Sequence, residues 1–187
     1  VAPEVLREYQ RAIQDQLTSL RFLDGATGLP TYGGILAFGK DPEAFIPGAW
    51  IQLIRFDGVD RTAAVSDEKR IRGPLLQLLK GLEEALKLNV HTARAPASGL
   101  QARDLADYPL AALRELAFNA VAHRTYEVGN APVRISWFAD RLEIQNPGGL
   151  YGQVTPQNFG RVADYRNPTV AEAMKVLGFV ERYPSGI

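Results

Sequence analysis

Between residues 110 and 145 the apolar repeat of this chain changes period, and that change restricts the fold more than any other feature. Over "LAALRELAFNAVAH", residues 110–123, Leu110, Leu113, Leu116, Ala117, Ala120 and Val121 recur at three- and four-residue spacing, which predicts a helix buried along one side. Beyond it Val133, Ile135 and Trp137 alternate, Ala139 and Asp140 turn, and Leu142 and Ile144 return, which predicts a β-hairpin. A helix stripe and a strand face each need a partner to bury against, so helices layered on a sheet are expected. The hairpin should stop at Asn146-Pro147-Gly148-Gly149, because proline cannot donate to a ladder and glycine accepts positive φ.

The remaining segments fit an α/β (α+β) class. Residues 4–20 place Val5, Tyr9, Ile13, Leu17 and Leu20 on one helical face. In the glycine- and proline-punctuated stretch that follows, Ile35, Leu36, Ala37 and Phe38 form a short buried run, strand or helix-like. Trp50, Gln52, Ile54 and Phe56 on one side, with Ile51, Leu53 and Arg55 on the other, predict a strand that Gly58 ends. Residues 73–89 predict a second amphipathic helix with Pro74 near its first turn. Residues 92–109 are rich in Ala, Pro, Gly and Ser and mark a domain boundary, although "SGLQARDLADY" alternates weakly. Residues 150–166 read as loop, Asn167 as an N-cap, and Pro168 as the first position of a helix running to Gly178. Units over 1–91 and 108–187, joined by a linker over 92–107, are therefore expected. Both ends look cut, which predicts a piece of a longer protein.

Composition narrows the function classes. Lys and Arg number 21 and Asp and Glu also 21, so this portion lacks the basic excess that nonspecific nucleic-acid binding requires. The absence of cysteine excludes disulfides and thiolate metal sites. His91 has no companion for a histidine metal site. No apolar run approaches the ~18 residues of a membrane span, so no membrane association and a cytoplasmic location are expected. No G-x-x-x-x-G-K-[ST] loop is present, which argues against helicase activity from this chain.

Glu115, Asn119 and His123 interrupt the apolar helix at spacings of four, drifting about 40° per step into one polar stripe. Such a stripe offers a carboxylate to activate water, an amide oxygen for Mg²⁺, and His123 with Arg124 for phosphate oxygens. Gly148 and Gly149 would let a flat ring or a phosphate approach the backbone. Structural roles are open for the same residues: an ion pair from Glu115 to Arg114 or Arg124, a loop brace at Asn119, a helix C-cap at His123. Arg166-Asn167-Pro168 reads as a helix start or as a phosphate contact at that terminus.

"ALRELAFNAVAHRTY", "DRLEIQNPGGL", "RNPTVAEAMKVLGFVER" and "PSGI" occur in order, and together they resemble the C-terminal domain of RecG-like, helicase-related bacterial regulators. That domain is similar to the GHKL ATPases: gyrase, a heat-shock chaperone, MutL and histidine kinases. "GLPTYGGILAFGKDPEAFIPGAWIQLIRFDG", residues 28–58, resembles the later part of the Schlafen AlbA-type domain that precedes it in those regulators. The resemblance implies a partial AlbA-like unit over 1–91 and a GHKL-like unit over 108–187, with ATP and Mg²⁺ as cofactors. It implies Glu115 as general base, Asn119 as Mg²⁺ ligand, Asn146 at the adenine amino group, and Gly148 and Gly149 as the nucleotide turn. Ser185 and Gly186 would belong to a second glycine motif near the phosphates. Asn146 stands where the family has Asp, and Pro184 where the regulators have Gly. The implied function is an ATP-binding domain of a DNA-linked transcriptional regulator with weak hydrolysis, or a scaffold that has lost nucleotide and serves self-association. DNA would be met outside this chain, and a homo-oligomer is a further expectation.

Overall fold

The computed structural model describes residues 12–90, 92–95, 103–158, 161 and 164–179. In chain order the elements are α1 (Ile13–Ser19), α2 (Tyr32–Phe38), a 3₁₀ turn (Pro42–Ala44), β1 (Ile51–Phe56), β2 (Val65–Ile71), α3 (Leu75–Asn89), β3 (Thr92–Ala95) and β4 (Arg103–Ala106). Then follow α4 (Leu110–His123), β5 (Val133–Trp137), β6 (Leu142–Gln145) and α5 (Pro168–Val176). β2, β1, β5 and β6 form a four-stranded mixed sheet in that order, and β3 and β4 make a separate two-stranded ribbon. β1 and β5 run parallel, while β1–β2 and β5–β6 are antiparallel.

A parallel pair requires a long crossover, and here that crossover carries α3 and α4. Register decides what the helices cover. Ile51 lies opposite Val133 and Leu53 opposite Ile135, so the buried residues of both central strands share one face. α3 brings Leu75, Leu79, Leu82 and Leu86 to the core, α4 brings Leu113, Ala117, Phe118 and Val121, and α5 adds Val170 and Met174. The opposite face is polar: Gln52 Nε2 donates to Glu68 at 2.7 Å, and Arg134 Nε donates to Gln52 Oε1 at 2.9 Å. The mixed α/β class is as expected. The sheet draws strands from both sides of segment 92–107, and where a linker was expected β3 pairs with β4.

Three local expectations change. Leu116 is 52% exposed, and Phe118 occupies the core in its place. The Phe118 ring packs edge-on against Phe179, centroids 5.4 Å apart, with Ala117, Ala120 and Ala122 buried along the same helix. The apolar face expected for α1 is left open, with Ile13 74% and Leu20 54% exposed; Val5 and Tyr9 lie outside the described residues. Of the two forms left open for residues 35–38 the helical one is found, with Thr31 Oγ1 accepting from Gly34 N at 3.1 Å to cap α2, but the run is not wholly buried, since Phe38 is 64% exposed. No helix among the described residues is long and apolar enough to cross a membrane.

Candidate functional site

α4 ends at His123 without a glycine, so its last carbonyls need other donors. They are served from two places. Tyr126 Oη donates to Val121 O at 2.9 Å. Asn167 Nδ2 donates to Ala122 O at 2.9 Å and to Arg124 O at 2.7 Å. Asn167 does occupy the N-cap position of α5, but its side chain makes no capping hydrogen bond there and instead clasps the end of α4.

The same end of α4 holds the turn after β6. Thr125 N donates to Pro147 O at 2.9 Å. Gly148 has φ +117°, and a Cβ there would lie 2.3 Å from Thr125 Oγ1, so the turn hugs the chain leaving α4. Gly149 has no heavy atom within 4 Å of where its Cβ would be, so that side of the turn is open. Asn146, half-buried at the start of the turn, has a buried Oδ1 with no hydrogen-bond partner among the described residues.

The structure thus brings the chain just after His123 against the turn at Asn146–Gly149, through the Thr125–Pro147 hydrogen bond and the approach of Gly148 to Thr125. Asn119 and Glu115 follow on the same stripe, one and two turns back along α4, and both are exposed. Neither side chain makes a hydrogen bond or ion pair among the described residues. Arg114, one reading of the partner for Glu115, sits instead 3.3 Å from Glu83 on α3.

Arg124, expected at phosphate oxygens, is turned inward and is 1% exposed. Its Nη1 donates to Thr125 O at 2.9 Å and its Nη2 to Ala131 O at 2.8 Å, while the guanidinium lies 4.7 Å from the Tyr126 ring centre. Burial lowers its pKa below the usual guanidinium value, with Tyr126 and Glu127 opposing that shift. Gly48 makes the arrangement possible, since a Cβ there would fall 1.9 Å from Arg124 Nη2. Ser185 and Gly186 lie outside the described residues.

Residues that the sequence reading did not assign to the site complete its rim. The His123 ring stacks on Tyr165, centroids 5.6 Å apart and planes 13° apart. Lys175 Nζ lies 5.3 Å from the centre of the same ring. Arg166 Nη2 donates to Gly149 O at 3.0 Å, and its guanidinium lies 4.7 Å from the Tyr151 ring centre. The His123 pKa is lowered from its ordinary value by burial first and by the positive charge of Arg166 second. Only the Arg166-Asn167-Pro168 string hinted at this rim; nothing in the spacing of Tyr151, Tyr165 and Lys175 tied them to α4.

Comparison with known proteins points to the same half of the chain. Residues 130–187 match the family described as "Putative ATP-dependent DNA helicase recG C-terminal", which begins just before β5 and includes the turn and α5. The described fold is similar to the crystal structure of the DIP2311 protein from Corynebacterium diphtheriae, with a TM-score of 0.70 at 24% identity over 95% of this chain. The chain spans 35% of that protein's length. No curated protein matches the chain. The C-terminal part of this chain is thus similar to the RecG-related ATPase-type domain, carried on a mixed α/β fold that a solved protein shares.

Proposed function

We propose that this chain carries a GHKL-like nucleotide-binding module of a DNA-linked transcriptional regulator, taking ATP with Mg²⁺ beside the end of α4. The observation that carries the reading is Asn146 Oδ1: buried, without a partner, and next to a glycine turn whose outer side is open. An unpaired buried acceptor costs about 1–3 kcal/mol, and the amino group of adenine is a donor of the right kind to relieve it. Family likeness of residues 130–187 supports the same ligand class.

Asn119, exposed on α4, offers an amide oxygen to a hard ion that keeps most of its waters and takes few protein ligands. When bound, Mg²⁺-ATP supplies the reactive phosphoryl group and the metal charge that neutralises its oxygens. Asn119 would hold the ion through its amide oxygen. Glu115 would orient a water and accept its proton as general base. From Glu115 to His123 the stripe runs about 12 Å at the helical rise of ~1.5 Å per residue, long enough to follow a triphosphate. Asn146 accepts without the charge assistance an Asp would bring, which supports weak binding and slow turnover.

Calorimetric titration of the parent with Mg²⁺-ATP tests the reading, and no heat at millimolar ligand rejects it. Asn119→Ala should weaken the Mg²⁺-dependent part of binding, and Glu115→Ala should keep affinity while removing hydrolysis. Equal turnover in Glu115→Ala and the parent rejects the base assignment. The inward placement of Arg124 favours a second reading, a non-hydrolysing scaffold or dimerisation module that has lost its phosphate contacts. That reading predicts no nucleotide-dependent rise in melting temperature. In both readings DNA is met by regions outside this chain.

A further inference from the structure

We infer that His123 and Lys175, on the ring of Tyr165, together with Arg166, the next residue in the chain, form an oxyanion site for a phosphate-bearing ligand; in assigning nucleotide phosphate to it, the inference rests on the reading above. The three basic side chains come from three separate places: the end of α4, the residue two before α5, and the last turn of α5. His123 and Lys175 both contact the Tyr165 ring, and the positive charge of Arg166 adds to burial, the larger cause, in lowering the His123 pKa.

Carboxylates do not balance them. Glu172 lies 3.8 Å from Lys175 with 65% of its side chain exposed, a pair of the screened kind that contributes little. Asp164 Oδ2 accepts from Gln153 N at 3.3 Å. Among the described residues no carboxylate pairs with His123 or Arg166, and Arg166 Nε is buried without a partner. Arg166 and Lys175 supply the standing positive charge, and an anion seated among the three would favour the protonated form of His123; a phosphate oxygen accepts charge-assisted hydrogen bonds from all three side-chain types. Arg166 also holds the carbonyl of Gly149, so the site borders the turn where Asn146 lacks a donor.

Inorganic pyrophosphate, titrated at constant ionic strength, is the probe, with the ring proton of His123 as the signal. The chain has only two histidines, so a His123→Gln variant assigns that signal. Saturable movement of the His123 resonance is expected, with its pKa rising as the anion binds. Lys175→Ala should weaken the apparent Kd about five- to tenfold, the size of one partly screened charge-assisted contact, and Arg166→Lys should retain more affinity than Arg166→Gln. A His123 signal unmoved by millimolar pyrophosphate, or a Kd unchanged in Lys175→Ala, overturns the inference. Adenosine separates the two readings. Pyrophosphate binding without adenosine or ATP binding keeps the oxyanion site and rejects the nucleotide module; ATP binding with His123 silent does the reverse.

Discussion

Asn167 gives the sharpest test of how this structure is held, because two accounts of the residue predict opposite orders of stability. As an ordinary N-cap, Asn167 should be replaceable by Asp with no loss, since Asp and Asn cap equally well and Asp favours the positive helix end. In the structure its amide donates to Ala122 O at 2.9 Å and Arg124 O at 2.7 Å, and only a donor can do this. Asn167→Ala removes both hydrogen bonds at about 0.5–1.5 kcal/mol each, or ~1–3 kcal/mol together. For a chain of this length each kcal/mol shifts Tm by about 2–4 °C, so a fall of roughly 2–12 °C is expected. Asn167→Asp should be worse than Ala at neutral pH, since an acceptor-only carboxylate would then face two carbonyl oxygens. Those oxygens and partial burial would raise its pKa in the folded state above the unfolded value. Between the two values the folded state binds more protons, so unfolding free energy falls as pH rises and recovers on acidification. Urea denaturation of parent, N167A and N167D at neutral and mildly acidic pH reads both effects. An N167D protein as stable as the parent at neutral pH refutes the clasp.

Two further predictions concern the same region. Gly148→Ala should lose about 1–3 kcal/mol from a Cβ driven into Thr125 Oγ1 at positive φ, whereas Gly149→Ala, facing open space, should stay within ~0.5 kcal/mol; equal chemical-denaturation midpoints for the two would contradict the turn geometry. Tyr126→Phe should cost about 0.5–1.5 kcal/mol near neutrality by removing the donor to Val121 O. Burial raises the Tyr126 phenol well above its usual pKa, so the parent holds that proton when the unfolded chain releases it. Parental stability should therefore drop as pH rises past the ordinary phenol value of ~10, and the gap between parent and Tyr126→Phe should narrow there. A gap that stays constant in melts on both sides of that pH would count against the buried phenol.

Legibility differed between elements for physical reasons. α3, α4 and the β5–β6 hairpin could be read because their apolar residues repeat with the period of the element they form. β2 could not: its sequence VSDEKRI is polar, and it is a strand because its backbone pairs with β1, with Ile71 alone buried against the core. At the site, the Glu115–Asn119–His123 stripe and the Gly148–Gly149 turn were visible as spacing and composition. Tyr165 and Lys175 were not, since contacts across a loop leave no periodic trace, and Arg166 showed only through the reading of residues 166–168 as a phosphate contact.

Local pattern, then, determined that α3 and α4 are helices and that β1, β5 and β6 are strands, where the second hairpin stops, and that one helix carries a polar stripe, because those features follow from side-chain period and from what proline and glycine permit. Tertiary structure alone decided that β1 lies parallel to β5, that Arg124 turns inward while His123 stays half-exposed, and that Asn167 serves α4 rather than α5. Each of those outcomes depends on which distant backbone groups need a partner once the sheet is assembled, and that need does not exist until the chain has folded.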